Sequence, residues 1–84
     1  MDKGQFIIEY ENLKSKIDEV RLNIDFFKDD VNDVGYREVL SETERDSLLE
    51  QESLLDEAIL LIRKAYWKLE DAQIEMRKLM IKGK

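Results

Sequence analysis

The sequence predicts an all-α chain, a long antiparallel hairpin of two helices that pairs with a second copy into an antiparallel four-helix bundle. Three observations predict it. Apolar residues recur every three or four positions along most of the chain, which is the period of a helix face and not of a strand. Helix breakers are confined: there is no Pro, and of the three glycines, Gly4, Gly35 and Gly83, only Gly35 lies away from the ends. Finally, 40% charged and 43% hydrophobic side chains in 84 residues describe solvent-washed helices with an apolar seam, in a chain too short to bury enough apolar surface easily by itself. Self-association is therefore expected.

The elements follow in order as a single helical-hairpin domain. Helix one is predicted from about Gln5 to Asn32, a turn covers about Asp33 to Leu40, and helix two runs from about Glu42 to Ile81. In helix one Phe6, Tyr10, Leu13, Ile17, Val20, Ile24, Phe27 and Val31 are alternately four and three residues apart, the repeat of a coiled-coil seam, and are assigned to its core. Gly35 is placed as a left-handed cap, after which Tyr36, Val39 and Leu40 fold down to plug the end of the bundle. Tyr36 and Arg37 are also a possible loop contact, since an aromatic ring beside a guanidinium can stack on a base or clamp a phosphate.

Ser41 and Glu44 form an S-x-x-E capping box that marks the start of helix two, and Glu42, Glu44 and Asp46 there, with Arg77, Lys78 and Lys82 at its far end, complement the helix dipole. Helix two repeats in sevens with a wide face. Leu55, Ile62, Leu69 and Met76 form the centre, with Ala58, Ala65, Ala72 and Leu79 on one side. Those eight residues are the expected dimer or bundle core, because alanines beside larger residues let a neighbouring backbone approach closely. Ile59, Tyr66, Gln73 and Met80 flank the centre on the other side. Asp56, Glu57, Arg63, Lys64, Glu70, Asp71, Arg77 and Lys78 fill two charged columns that should face water.

Between those columns lies a second apolar row: Leu60, Trp67, Ile74 and Ile81, again seven apart. Nothing in a single hairpin covers it, so it is the candidate protein-interaction stripe, with Trp67 as the anchor; scattered surface exposure is the blander alternative. Length points the same way. At about 1.5 Å per residue, helix two spans ~60 Å against ~42 Å for helix one, which leaves roughly the last dozen residues of helix two to be covered by another molecule. Charge is uneven as well: Lys28 to Glu57 carry three basic and eleven acidic residues, net −8, whereas Ala58 to Lys84 carry seven and three, net +4, which favours antiparallel pairing.

With no Cys and no His, the chain lacks a disulfide framework, a thiolate nucleophile, a histidine base and the usual zinc ligands. Asp29, Asp30 and Asp33 lack the spacing of a calcium loop, and Glu50, Glu52, Asp56 and Glu57 have no histidine with which to build a di-iron site. The expectation is no catalytic residue, no cofactor and no metal. A pI near 4.7 opposes attraction to phosphates, so nucleic acid is not the expected partner. No run of 18 apolar residues exists and "MDKGQFII" is too short and too charged for a secretory signal, so a cytoplasmic protein without a membrane partner is expected.

Two short segments carry resemblances. The helix, turn, helix plan resembles the small WXG-type secretion substrates, and "YWKLE" is similar to their Y-x-x-x-D/E export signal through Tyr66 and Glu70, although Gly35 stands in a turn without the defining tryptophan. "GYREVLSETE" resembles the start of phage-encoded sponges that sequester cyclic nucleotides, over about ten residues with one extra and after a long helix where that family would begin. Neither segment is long enough to transfer a function. The small, acidic, helix-only chain is similar to many phage and mobile-element accessory proteins. The sequence thus predicts a non-enzymatic interaction module, an adaptor, chaperone or inhibitor acting as a homodimer or higher helical bundle. An acidic mimic of nucleic acid is the alternative, and a small-ligand sponge or WXG-like secreted hairpin is a further one.

Overall fold

A computed structural model describes residues 2–82; Met1, Gly83 and Lys84 lie outside it, as does the side chain of Lys82. Two helices make up the fold, α1 (Lys3–Arg37) and α2 (Glu42–Lys82). They fold back on each other as an antiparallel hairpin, a rod whose Cα atoms extend 66 × 15 × 14 Å. The radius of gyration, 19.1 Å, compares with about 12 Å for a compact chain of this length.

Both ends of α1 differ from expectation. The helix begins earlier because Asp2 and Gln5 form a reciprocal capping box: the Gln5 N–H donates to Asp2 Oδ1 at 2.8 Å and the Asp2 N–H donates to Gln5 Oε1 at 2.9 Å. Gly4 therefore sits inside the first turn. At the other end Gly35 is helical, with no positive φ, and α1 continues to Arg37 before Glu38 takes an extended conformation and its N–H closes the last turn on the Val34 carbonyl. Glycine is tolerated in a helix at a cost of roughly 1 kcal/mol relative to Ala, and the flanking residues here carry the helix across it. The connection shrinks to residues 38–41.

These extensions overturn two expectations. Tyr36 and Val39 do not plug the hairpin end; both are strongly exposed, Val39 completely so at 101%, because Tyr36 rides on the continuing helix and Val39 projects from the short turn. The expected overhang of α2 is also small. At 35 and 41 residues the helices are about 52 and 61 Å long, and the Lys3 ammonium reaches the Leu79 carbonyl at 3.4 Å. The serine cap of α2 is present in modified form: the Glu44 N–H donates to Ser41 Oγ at 3.2 Å, while the Ser41 hydroxyl itself donates to the Glu44 carboxylate at 3.0 Å.

The seam between the helices follows a repeat of alternating threes and fours on each helix, but on α1 it is one row away from the predicted one. On α2 the buried and half-buried positions of the seam are Leu48, Glu52, Leu55, Ile59, Ile62, Tyr66, Leu69, Gln73 and Met76, with Ala58 and Ala72 half-buried at its edge. This joins the expected central row to its Ile59, Tyr66, Gln73 flank. On α1 Tyr10, Ile17, Ile24 and Val31 face the seam as expected, joined by Ile7, Lys14, Arg21 and Lys28. Phe6, Leu13, Val20 and Phe27 are therefore not core; they stand exposed beside it. The physical reason is that one helix can cover only about two rows of another, and α1 offers three. The long stems of Lys14, Arg21 and Lys28 cover apolar surface while their charged ends find carboxylates, so the cationic row is accommodated against α2.

Candidate interaction surfaces

The rotated seam gives the hairpin two unlike sides. One is polar. Lys14, only 6% exposed, lies 3.2 Å from Glu11 and 5.6 Å from the centre of the Tyr66 ring. Arg21 binds Asp18 and Asp25, each at 3.0 Å, and Lys28 reaches across to Asp56. Gln73, 0% exposed, donates from Nε2 to Glu11 Oε1 at 2.7 Å and to the Ile7 carbonyl at 3.2 Å, while its Oε1 has no partner among the described residues. Arg77 adds a more distant contact with Glu11 at 3.8 Å.

Periodicity alone does not reveal this cluster, since it places Gln73 only as one member of a flanking row. Its signal was the recurrence of Lys14, Arg21 and Lys28 at intervals of seven, directly beside the apolar seam. A single buried polar group of this sort fixes helix register at some cost in stability.

Two titrations report on the cluster and on its counterpart nearer the turn. The Gln73 amide, followed by Lys14, holds the Glu11 carboxyl below its ordinary value of 4.5. Its stabilising effect is therefore present above the unfolded value and is lost as pH falls through the depressed one. Replacing Glu11 by Gln is expected to flatten part of the acid limb of the stability profile, measured as urea midpoints between about pH 5 and 3; an unchanged limb would show that the cluster does not couple to folding. Lys28 is raised by its hydrogen bond to Asp56. That contribution is present below the unfolded pKa and is lost only as pH rises through the raised value.

On the outer edge of this polar side stand Leu60, Trp67, Ile74 and Ile81, all exposed, with the indole at 67%. Trp67 borders a shallow hollow lined by Ile17, Asp18, Arg21, Ile62, Arg63 and Tyr66. Arg63 forms no ion pair among the described residues, in contrast to Arg21. The row is thus apolar, with a cation at its margin.

The other side is apolar. Phe6, Leu13, Val20, Phe27 and Val34 run along α1, next to Ala58, Ala65 and Ala72 on α2 and the exposed Leu54 and Leu61 beyond them. Of the expected bundle core, Leu55, Ile62, Leu69 and Met76 are half-buried in the hairpin's own seam, Ala58 and Ala72 are half-buried at its edge, and Ala65 and Leu79 are exposed. At the turn Tyr36 is 83% exposed above a second hollow shared with Asn32, Arg45, Leu48, Leu49 and Glu52. The Arg37 guanidinium pairs with Asp33 one turn back on its own helix. The two residues are therefore not brought together around a common ligand-sized cleft.

No family model, curated protein or solved structure matches the chain. Among the described residues, no helix is long and apolar enough to cross a membrane.

Proposed function

We propose that this chain is a non-enzymatic interaction module of the adaptor, chaperone or inhibitor kind, which works as a homodimeric four-helix bundle and presents one helical edge to a protein partner. The observation that carries the reading is the exposed row Leu60, Trp67, Ile74 and Ile81, at four successive positions seven apart, with Trp67 set beside a hollow. Burying each of these side chains would contribute roughly 1.5 to 3 kcal/mol before association costs. A partner helix with an apolar stripe and a carboxylate for Arg63 suits this edge. Such a role is consistent with a small cytoplasmic accessory protein of a phage or mobile element.

Trp67→Ala is expected to weaken partner capture at least tenfold, roughly 1.4 kcal/mol, while helicity and mass in solution stay unchanged. The comparison is a pull-down from the native host with both forms, with circular dichroism and sedimentation alongside. Undiminished capture by Trp67→Ala and by Ile74→Asp would remove the stripe from the mechanism.

A second reading draws support from charge. The turn end, Lys28 to Glu57, holds net −8, and a carboxylate array of that density could occupy a basic nucleic-acid-binding site on a target protein. Such an association must weaken steeply with salt, by analogy with the counterion release it imitates. Indifference of the captured complex to salt from about 50 to 500 mM would exclude it.

A further inference from the structure

We infer that the apolar side of the hairpin is the surface on which two copies of this chain pair, antiparallel, with Val20 of each copy beside the twofold axis. The inference deepens the proposed dimer by naming its face and direction, and it leaves the Trp67 edge free for another protein.

Four observations support it. First, Phe6, Leu13, Val20, Phe27 and Val34 form one straight row of large apolar side chains between 36% and 57% exposed, spread along the whole of α1. Beside them the Ala58, Ala65 and Ala72 row on α2 is small, so the two rows form a step. A shallow groove at its centre is lined by Leu13, Lys16, Ile17, Val20, Ile62 and Ala65. Side chains of one copy can seat there with their backbones close, as alanine rows allow.

Second, the amount of exposed surface fits a second molecule. The chain exposes 6668 Å², whereas a compact monomer of 10.0 kDa exposes about 5,200 Å², an excess of roughly 1,400 Å². A standard stable interface removes about 800 Å² per partner. Pairing through this side is well within the excess.

Third, the charges choose the occupant and its direction. The ion pairs that cross between the helices, Lys28–Asp56 and Arg77–Glu11, belong to the polar side among the described residues, so the apolar side offers a dry centre. Along the rod, the turn half from Lys28 to Glu57 is net −8, and the whole chain is −6, so the open half is +2. A parallel pair would stack −8 on −8. An antiparallel pair sets each turn half against the other copy's open half, which is the favourable juxtaposition.

Fourth, the row matches itself when reversed. Val20 is seven residues from Leu13 and Phe27 and fourteen from Phe6 and Val34. An isologous twofold maps each surface onto itself with reversed direction. With the axis at Val20, Phe6 meets the other copy's Val34, Leu13 meets its Phe27, and Val20 meets Val20. On α2 the level of Val20 is that of Leu61 and Ile62, which lets Ala58 of one copy oppose Ala65 of the other.

The chain has no Cys, so single-thiol variants report proximity cleanly. Sedimentation at micromolar concentration is expected to show a dimer. Val20→Cys is expected to form an intermolecular disulfide rapidly under mild oxidation, whereas Trp67→Cys, on the opposite side, forms it at least tenfold more slowly. Val20→Glu is expected to halve the mass while the helical signal persists; should that variant unfold, the cysteine comparison decides alone. A monomeric wild type, a dimer that survives Val20→Glu, or faster linkage through Trp67→Cys than through Val20→Cys would overturn the inference. Client capture through Trp67 is read separately, so a misplaced dimer face and a misassigned partner edge give different results.

Discussion

Ile59→Asp is expected to abolish the folded hairpin at 25 °C, whereas Leu60→Asp, one residue along, is expected to leave it folded. Ile59 is 7% exposed in the middle of the seam, and Leu60 is 56% exposed on the back of the same helix. Removing the Ile59 side chain costs the transfer free energy of its methylenes together with the cavity it leaves, and the carboxylate that replaces it must be desolvated within the seam. Together these come to ~4 kcal/mol or more. A chain of this length has roughly 4 to 13 kcal/mol of total stability, and with Val31 and Ile59 the only buried apolar residues among those described this hairpin lies toward the lower end, so the loss consumes most of the margin. The measurement is thermal unfolding followed by ellipticity. A drop in Tm of under about 10 °C for Ile59→Asp would mean that the seam is placed wrongly, and so would an equal drop for both variants.

Gln73→Glu is expected to cost about 3 to 5 kcal/mol at pH 7. The amide of Gln73 is fully enclosed and gives both of its N–H bonds, one to Glu11 and one to the Ile7 carbonyl. A carboxylate in its place has no donor, faces the Glu11 carboxylate at hydrogen-bond distance and remains desolvated. Lys14 and Arg77, at 3.2 and 3.8 Å from Glu11, offset only part of this. The defect has a definite pH sign. Burial and the neighbouring carboxylate raise the folded-state pKa of the introduced group above its unfolded value of about 4.3. The folded variant therefore binds a proton more readily than the unfolded one, and its deficit shrinks as pH falls through the raised pKa. Urea midpoints for the variant and the wild type at about pH 7 and 5 test this. A deficit that is constant across that range, or below about 1 kcal/mol at pH 7, would show that Gln73 is not the enclosed partner of Glu11.

Much of the fold was legible in the chain. The absence of Pro, the helical periodicity and the serine cap at Ser41 were sufficient for two long helices and one turn, and the start of α2 at Glu42 agrees with them. The ends of α1 were less legible. Asp2 with Gln5 is a capping box in sequence too, but Gly4 stands between them, and Gly35 reads as a terminator although a glycine inside a helix costs only about 1 kcal/mol. Both glycines make α1 look shorter in sequence than it is, and the longer helix removes most of the expected overhang of α2.

The candidate surfaces divide in the same way. Trp67 and its companions were readable as an outward row because charged columns flank them on both sides, which local periodicity alone reveals. The open row of Phe6, Leu13, Val20 and Phe27 was not, since every member is as apolar as a core residue and shares the same spacing of seven.

By itself, the sequence determined the helical class, the hairpin and which residues lie on a common helical face, because those depend on backbone propensity and on a period set by short-range geometry. Only the tertiary structure decided that the row of Tyr10, Ile17, Ile24 and Val31 meets α2 together with the cationic row of Lys14, Arg21 and Lys28, and not with the row of Phe6, Leu13, Val20 and Phe27, and so which side is left open. That choice depends on the Lys28 ammonium reaching Asp56 and on the Gln73 amide finding Glu11 and the Ile7 carbonyl across the seam, partners as far as 66 residues apart in the chain.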